Sequence, residues 1–168
     1  MIKPHGSDTL NPLFVYDTEK HHQLMKEAES LPSLLLNSAA AANAVLDEIT
    51  HPEMMQRVRD MGTLLQEGLE ERLGQSPHVG DIRGRGLFRG IELVEDRDTK
   101  APFDPSRRIH ARVKAAAMDH GLLCYPMPGT IDGQRGDHIL LAPPFIMEDD
   151  HIPLILDALD VAIQTAIH

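Results

Sequence analysis

The sequence is poor in aromatic residues and in cysteine: its 168 residues include no tryptophan, two tyrosines, four phenylalanines and one cysteine. The lone Cys124 excludes an intrachain disulfide and a cluster of thiolate metal ligands, and it favours a reducing, cytoplasmic setting. The apolar runs fall far short of the roughly 20 residues that a membrane helix needs. The opening residues MIKPHGSD lack the apolar core of a secretion signal. We therefore expect a soluble, cytoplasmic protein.

Positive charge is also scarce. Sixteen Lys and Arg residues against 26 Asp and Glu residues give a formal net charge of -10. A chain with this balance does not hold nucleic acid or an anionic membrane mainly by Coulomb attraction, so we expect neither as a partner. With 42% apolar residues, the chain can bury a core, either as one ordinary domain or as a small domain with an appendage.

Hydrophobic periodicity predicts an alternation of helices and strands. Helices are expected over 17–31, 34–49, 52–73, 106–120 and 148–167, and strands around Ile82 and over 87–94, 122–125 and 138–142. From Pro52 onward this order predicts an α/β fold of the α+β type, a two-layer sandwich in which helices cover a small, mostly antiparallel sheet. Residues 1–45 are expected to form a helical N-terminal extension, and residues 46–168 the domain itself.

Three glycines, Gly84, Gly86 and Gly90, lie close together in the predicted strand region. Glycine lets backbone amides approach a phosphate, but a dinucleotide fingerprint needs the spacing GxGxxG between a strand and a helix. Here the last interval is three residues long and a strand follows. We therefore predict that these glycines permit a sharp strand corner and a bulge.

Other polar patterns have structural explanations. The ten histidines include no HxxxH or HExxH spacing, so we expect no metal site. The acidic residues 148–150 are predicted to offset the positive end of the last helix dipole. Three arginines, Arg83, Arg85 and Arg89, are predicted to share one strand face and to keep that face in water.

Arg135 is the candidate binding residue. It lies in the glycine-rich loop GTIDGQRGDH, where its guanidinium can reach a substrate carboxylate as a bidentate clamp. A purely structural alternative is a local pair between Arg135 and Asp137 that stiffens the turn. The sequence leaves both open.

Several motifs in series resemble the carboxy-terminal small domain of class III pyridoxal-phosphate-dependent aminotransferases of the omega-amino-acid:pyruvate type. These motifs are IRGRGLFRGIEL at 82–93, FDP at 103–105, GLLCYP at 121–126 and RGDHILLAPPFI at 135–146. Their order and spacing match from about residue 41 to the end of the sequence. The resemblance implies the fold of that domain and a parent reaction that moves an amino group from an amine or omega-amino acid to a keto acid.

The amino-terminal residues resemble a different family. The motifs KPHG at 3–6, PLFV at 12–15, EAESLPS at 27–33 and SAAAANAV at 38–45 are similar to the amino terminus of sulfate adenylyltransferase. The two resemblances meet inside the alanine-rich segment, which predicts a chimeric reading frame. The nucleotide- and sulfate-binding motifs of that second family have no counterpart in this chain.

The resemblance also implies which functional groups are missing. Transamination needs a lysine that forms a Schiff base with the cofactor, and none of the five lysines has the family's catalytic context: Lys3, Lys20, Lys26, Lys100 and Lys114. We therefore assign no catalytic, cofactor-binding or metal-binding residue, expect no bound pyridoxal phosphate, and expect the chain alone to be inactive. The family's mobile carboxylate-binding arginine is often found where this chain has Tyr125, which leaves Arg135 as its only nearby replacement.

Two alternatives remain from the sequence. The chain is either a noncatalytic module that self-associates through apolar surface, or a remnant of sulfate adenylyltransferase. The first alternative predicts a homo-oligomer held by exposed side chains, among them Leu34, Leu35, Leu36, Met54 and Met55.

Overall fold

The computed structural model describes residues 34–168, with side chains from Ser38 onward. The predicted helix over 17–31 and the motifs up to residue 33 that resemble sulfate adenylyltransferase lie outside these residues. The described elements are, in chain order, α1 (Leu34–Ile49), α2 (Pro52–Leu73), β1 (Val79–Arg85), β2 (Phe88–Leu93), a 3-10 turn (Pro105–Arg107), α3 (Ile109–Asp119), β3 (Tyr125–Pro128), β4 (Asp137–Leu141) and α4 (His151–Ile167).

The chain divides into two compact units between Arg57 and Val58, inside α2. In the first unit, α1 has the predicted bounds because its alanine-rich centre has high helix propensity. It ends at Ile49, and the backbone amide and Oγ1 of the next residue, Thr50, both donate to the carbonyl oxygen of Leu46. Val45 and Leu46 of α1 are exposed. The predicted boundary between residues 45 and 46 stays a prediction.

The second unit is built on a four-stranded sheet in the order β1-β2-β4-β3, with every neighbouring pair antiparallel. Ile91 lies opposite Ile139, and both are fully buried on the face that the helices cover. Alternate residues point to the other face, where Gly90, Glu92 and His138 are only partly buried. This arrangement confirms the predicted mixed fold with a small antiparallel sheet and helices.

The helices bury the stripes that the periodicity predicted. In α2 the buried apolar residues are Val58, Met61, Leu65, Leu69 and Leu73. Met55, one step earlier on the same stripe, stays exposed. In α4, nine residues are buried at helical spacing, which makes it the most apolar contributor to this core: Ile152, Ile155, Leu156, Ala158, Leu159, Ala162, Ile163, Ala166 and Ile167.

Two predicted helix starts are wrong by about one turn. The segment expected to begin a helix at Ser106 forms a 3-10 turn, capped by the Asp104 side chain, which accepts from the Ser106 amide. Arg108 then adopts φ 50°, a left-handed conformation that separates the turn from α3. The last helix begins at His151 rather than at residue 148, so the acidic run precedes it. Asp150 stands at its N-cap without a side-chain capping hydrogen bond.

The third strand is displaced from its predicted position. Residues 122–124 connect α3 to the strand, with the Leu122 amide donating to the carbonyl oxygen of Ala117. The strand itself, Tyr125–Pro128, contains two prolines. Proline cannot donate to a ladder and is tolerated at the edge of a sheet, where β3 lies. Sequence reasoning placed a loop from Pro126 because it treated these prolines as strand breakers.

No helix within residues 34–168 is both long enough and apolar enough to cross a membrane.

Candidate functional site

Within residues 58–168, the sheet face opposite the helices forms a shallow cavity of about 340 Å³. The strand register brings its lining together, because Arg83 lies opposite Gly90, Glu92 opposite His138, and Leu140 beside Gly90 on the next strand. The cavity is lined by Arg83, Gly84, Phe88, Gly90, Ile91, Glu92, Thr130, His138 and Leu140. We call this surface the open face.

The charge of Arg83 is already compensated on the open face. Its Nη1 donates to Asp81 Oδ2 at 2.7 Å and to Glu92 Oε2 at 2.8 Å. The hydrogen bond to Glu92 and then that to Asp81 raise the pKa of the Arg83 guanidinium. Two carboxylates thus surround one guanidinium, which disfavours Arg83 as the receptor for a further anion.

The glycine-rich corner connects β1 to β2. Arg85 pairs with Phe88, which leaves Gly86 and Leu87 as a two-residue turn, and Gly86 has φ 56°, a conformation that favours glycine. The corner was predicted. The one register irregularity of this strand pair lies between Val79 and Asp81 rather than at the glycines.

Arg89 contradicts the prediction that all three strand arginines stay in water. It lies on the helix-covered face with 8% exposure, and its Nη2 donates to the carbonyl oxygen of Gly62 in α2 at 2.6 Å. Burial lowers the pKa of Arg89, and the nearby negative charge of Glu70 opposes that shift. Among the described residues, Arg89 Nε has no hydrogen-bond partner. Arg83 and Arg85 do face solvent, because the register pairs them with Gly90 and Phe88, on the face of the sheet opposite to that of Arg89.

Beside the open face, the loop over residues 129–136 closes on itself. The Gly129 amide donates to the carbonyl oxygen of Gly136 at 2.7 Å, and the Ile131 amide donates to that of Arg135 at 3.0 Å. Gly129, Gly133 and Gly136 all have positive φ. Thr130 Oγ1 shares a 2.8 Å hydrogen bond with His138 Nδ1, so the loop borders the cavity.

Arg135 lies on this loop with its side chain 57% exposed. Its Nε donates to Asp132 Oδ2 at 2.7 Å, so the alternative of a local pair with Asp137 is wrong and Asp132 is the partner. Within residues 34–168, the contacts leave the terminal nitrogens Nη1 and Nη2 of Arg135 without a protein acceptor. The substrate-binding role of Arg135 stays a prediction.

Asp132 organises the tip of the loop. Its Oδ1 accepts the Gln134 amide at 3.0 Å and the Arg135 amide at 2.8 Å. The amide of Arg135, its side chain and then the amide of Gln134 lower the pKa of Asp132 to about 2. The carboxylate is therefore ionised at neutral pH.

Asp137 anchors the end of the loop, a role that sequence reasoning missed. It is 5% exposed, and its Oδ1 accepts from His110 Nδ1 at 2.6 Å and from the His110 amide at 3.1 Å. It therefore acts as a tertiary cap for α3, whose own N-cap residue, Arg108, makes no side-chain capping bond. The absence of Ser, Thr, Asp or Asn immediately before α3 was the available signal.

Neither the cysteine thiol nor a cluster of metal ligands supplies chemistry among the described residues. Burial raises the pKa of the Cys124 thiol to about 11, so the thiolate that would act as a nucleophile is scarce at neutral pH. In the part of the chain that the structure describes, no group of three or more His, Cys, Asp or Glu side chains is arranged to hold a metal ion.

Comparison with known proteins adds an independent finding. A model of the family described as aminotransferase class-III matches residues 36–163. The matched range contains α2, the entire sheet and the loop that carries Arg135.

Individual relatives agree with this match. The chain is 40% identical over 130 residues to an uncharacterized aminotransferase of Schizosaccharomyces pombe, covering 77% of this chain and 28% of that protein. Its structure resembles an aminotransferase from Bacillus anthracis (TM-score 0.68, 35% identity, 76% of this chain and 28% of that one). It also resembles an engineered omega transaminase from Pseudomonas jessenii (TM-score 0.61, 28% identity, 72% and 25%). The chain thus spans about a quarter of the length of the relatives that it matches.

Proposed function

Because this chain belongs to the class III aminotransferase family, we propose that it forms the substrate-recognition part of a pyridoxal-phosphate-dependent aminotransferase. The complete reaction transfers an amino group from an amine or omega-amino acid to pyruvate or another keto acid. The single observation that carries this proposal is the family match over residues 36–163, which includes the exposed Arg135 and its loop. The resemblance to an omega transaminase supports this substrate class.

The described residues do not form the site that the family's cofactor needs. A Schiff-base lysine requires an amine in an enclosed pocket beside phosphate donors. Lys100 is exposed, and its Nζ donates to the carbonyl oxygen of Gly80 at 2.7 Å. Lys114 is exposed on α3, and the cavity on the open face has no lysine in its lining. We propose that the chain alone does not hold pyridoxal phosphate and does not catalyse transamination.

Addition of pyridoxal phosphate to the purified chain tests this part of the proposal. We expect no Schiff-base absorbance band that survives gel filtration, and no phosphopyridoxyl-lysine after borohydride reduction and peptide mass spectrometry at stoichiometric cofactor. A stable band that disappears on substitution of one lysine, for example Lys100→Ala with Lys114→Ala as its control, overturns it.

Arg135 is the residue that we propose for carboxylate recognition. It is exposed, it belongs to a loop with three glycines of positive φ, and its two terminal nitrogens present a planar pair of donors that matches a carboxylate. Asp132 accepts only from Nε of Arg135. A carboxylate can therefore approach the guanidinium from the end that carries Nη1 and Nη2. Arg83 is less suited, because two carboxylates already surround its guanidinium.

Binding of a small carboxylate tests the role of Arg135 without any cofactor. In a nuclear magnetic resonance titration with propionate, we expect saturable shifts confined to residues 129–138 at millimolar concentrations. Arg135→Gln should abolish these shifts, whereas Arg85→Gln, which removes the same charge from another exposed arginine, should leave them unchanged. Equal binding by Arg135→Gln and the unsubstituted chain contradicts the proposal.

A second candidate function is self-association as a noncatalytic module. It is favoured by the exposed aromatic side chains beside the open face, Phe88 at 55% and Tyr125 at 60% exposure. In the first unit, Val45, Leu46 and Met55 are also exposed. Clustered apolar side chains on the surface of either unit favour association between copies. A clean monomer by light scattering at high protein concentration counts against this candidate.

The chimeric origin is also a proposal. The family match begins at residue 36, which supports assigning residues 36–45 to the aminotransferase. The similarity of the segment before it to sulfate adenylyltransferase rests on sequence motifs. A single long DNA read across codons 36 to 50 separates a real fusion from an assembly artefact. An assay for ATP formation from adenylyl sulfate and pyrophosphate tests the remnant activity, for which we expect no signal above a denatured control.

A cytoplasmic location is part of the same proposal. It is supported by the single cysteine, which is free and partly buried. Cysteines of cytoplasmic proteins are kept as free thiols, whereas disulfides form mainly in oxidising compartments. Cell fractionation tests it.

A further inference from the structure

The geometry of the 129–136 loop assigns a role to Asp132 as well as to Arg135. Asp132 holds the loop backbone with one carboxylate oxygen, Oδ1, and the Arg135 guanidinium with the other, Oδ2. One side chain thus fixes both the turn and the orientation of the arginine that follows it. Because the contact is to Nε alone, the plane of the guanidinium is held while its terminal donors remain available.

Asp132 and Arg135 carry opposite charges and lie close together. Asp132 Oδ2 lies 2.7 Å from Arg135 Nε, and both side chains are substantially exposed, at 42% and 57%. An exposed pair of this kind contributes little to stability. Its larger effect is on a third charge, because a carboxylate that approaches Arg135 meets an ionised Asp132 within a few ångströms.

We propose that Asp132 is an internal counter-ion that sets the carboxylate affinity of the Arg135 site. It presents Nη1 and Nη2 for end-on binding and weakens the attraction of the guanidinium for anions. The inference rests on the proposed function, since it concerns the same site and substrate class. Asp132 is a positioning and specificity-determining residue; it does not itself bind the substrate.

Asp132→Asn removes the negative charge but keeps the turn. Asparagine keeps one side-chain oxygen that accepts the amides of Gln134 and Arg135, whereas its side-chain NH2 group cannot accept from Arg135 Nε. At low ionic strength we expect the affinity for propionate to rise about threefold to tenfold. The gain should shrink in high salt, because salt screens interactions between exposed charges.

Matched controls identify the cause of any change. Asp98→Asn removes the same charge from another exposed aspartate and should leave propionate affinity unchanged. Propylamine, which has no carboxylate, should give no shifts at the loop with either variant. Asp132→Ala, which removes both the charge and the turn acceptor, should broaden the backbone signals of residues 129–136.

The results separate this inference from the proposed function. If propionate binding depends on Arg135 but is equal or weaker in Asp132→Asn, the inference is overturned and the proposed function stands. If Asp98→Asn gives the same gain, the effect is one of net charge and the inference is also overturned. If the unsubstituted chain does not bind propionate, or if Arg135→Gln binds it equally well, the proposed function fails and the inference fails with it.

Discussion

Two charged side chains, Arg89 and Asp137, are buried in the part of the chain that the structure describes, and they are held to different degrees. Asp137 has two donors from His110, whereas Arg89 has one backbone acceptor and an unpaired Nε. A buried polar group stabilises a fold only when its hydrogen-bonding capacity is met. Asp137 is therefore the better candidate for a stabilising charge.

Removal of the Asp137 carboxylate should destabilise the domain. Asp137→Ala leaves the Nδ1 and the amide of His110 without their acceptor, for which we expect a loss of about 2 kcal/mol in the free energy of unfolding. Urea denaturation measures it, and Asp98→Ala at an exposed position is the control. Faster hydrogen exchange in residues 129–136 should accompany the loss. Equal denaturation midpoints for the two variants contradict a capping role for Asp137.

The acid titration of Asp132 gives a second test at the residue scale. Its pKa is lowered from 3.8 to about 2, so the folded state favours the ionised form. The contribution of this carboxylate to stability is therefore complete above pH 3.8 and is lost as the pH falls through about 2. Carbon-13 titration of the Asp132 carboxyl should show the low midpoint. A midpoint near 3.8 would mean that the hydrogen bonds to Arg135 and Gln134 do not persist in solution.

At the scale of elements, α2 contacts its neighbours through two glycines in different ways. A Cβ at Gly62 would lie 2.5 Å from the backbone carbonyl of Gly86, whereas a Cβ at Gly68 would meet the Cδ1 end of Leu156 at 2.7 Å. A backbone carbonyl at a strand corner cannot move without displacing the corner. The end of a leucine side chain can rotate away.

Alanine substitutions in α2 test this contrast. Both Gly62→Ala and Gly68→Ala gain up to about 1 kcal/mol of helix propensity. We expect Gly62→Ala to lose about 1–3 kcal/mol overall through overpacking, and Gly68→Ala to change stability by less than about 1 kcal/mol. Chemical denaturation of both variants measures the difference. Similar values for the two positions would show that α2 can shift away from the corner.

The elements that periodicity predicts best are those with long apolar stripes. The bounds of α1 and α2 agree with the sequence, because high propensity and a proline at the first helical position mark them. The start of α3 was misplaced because Arg108 adopts a left-handed conformation. Glycine is the residue that usually marks this conformation in a sequence, and an arginine gives no such signal. The strand β3 was misplaced because its prolines are tolerated only by virtue of its edge position, which is a property of the whole sheet.

The candidate site was predictable only in part, for a related reason. Arg135 was found because a flexible loop and a charged group are local properties. Its partner Asp132 lies three residues away in the same loop, but the sequence offered Asp137 equally well. That choice is decided by His110, which is 27 residues distant and takes the Asp137 carboxylate. Likewise, the burial of Arg89 depends on a carbonyl of α2.

At the scale of the whole molecule, no helix within residues 58–168 covers the open face of the sheet, and the relatives that the chain matches are about four times as long. The exposed Phe88 and Tyr125 beside that face are the strongest candidates for contacts between copies. Phe88→Ser combined with Tyr125→Ser should shift the molecular mass measured by light scattering toward that of the monomer. Leu154→Ser, at an exposed leucine of α4, should leave the mass unchanged. The opposite pattern would place the association surface on the helices.

The prolines of β3 also limit how copies of this chain can meet. On an edge strand the proline nitrogens face outward, so Pro126 and Pro128 offer no amide hydrogens to an incoming strand. The opposite edge carries Asp81 and Arg83 and is kinked beside Val79, which disfavours flat stacking. Neither border of the sheet is a good template for strand-by-strand growth into a fibril. Contact between copies through Phe88 and Tyr125 would therefore bury side chains of the sheet surface and would not extend the sheet by backbone hydrogen bonds.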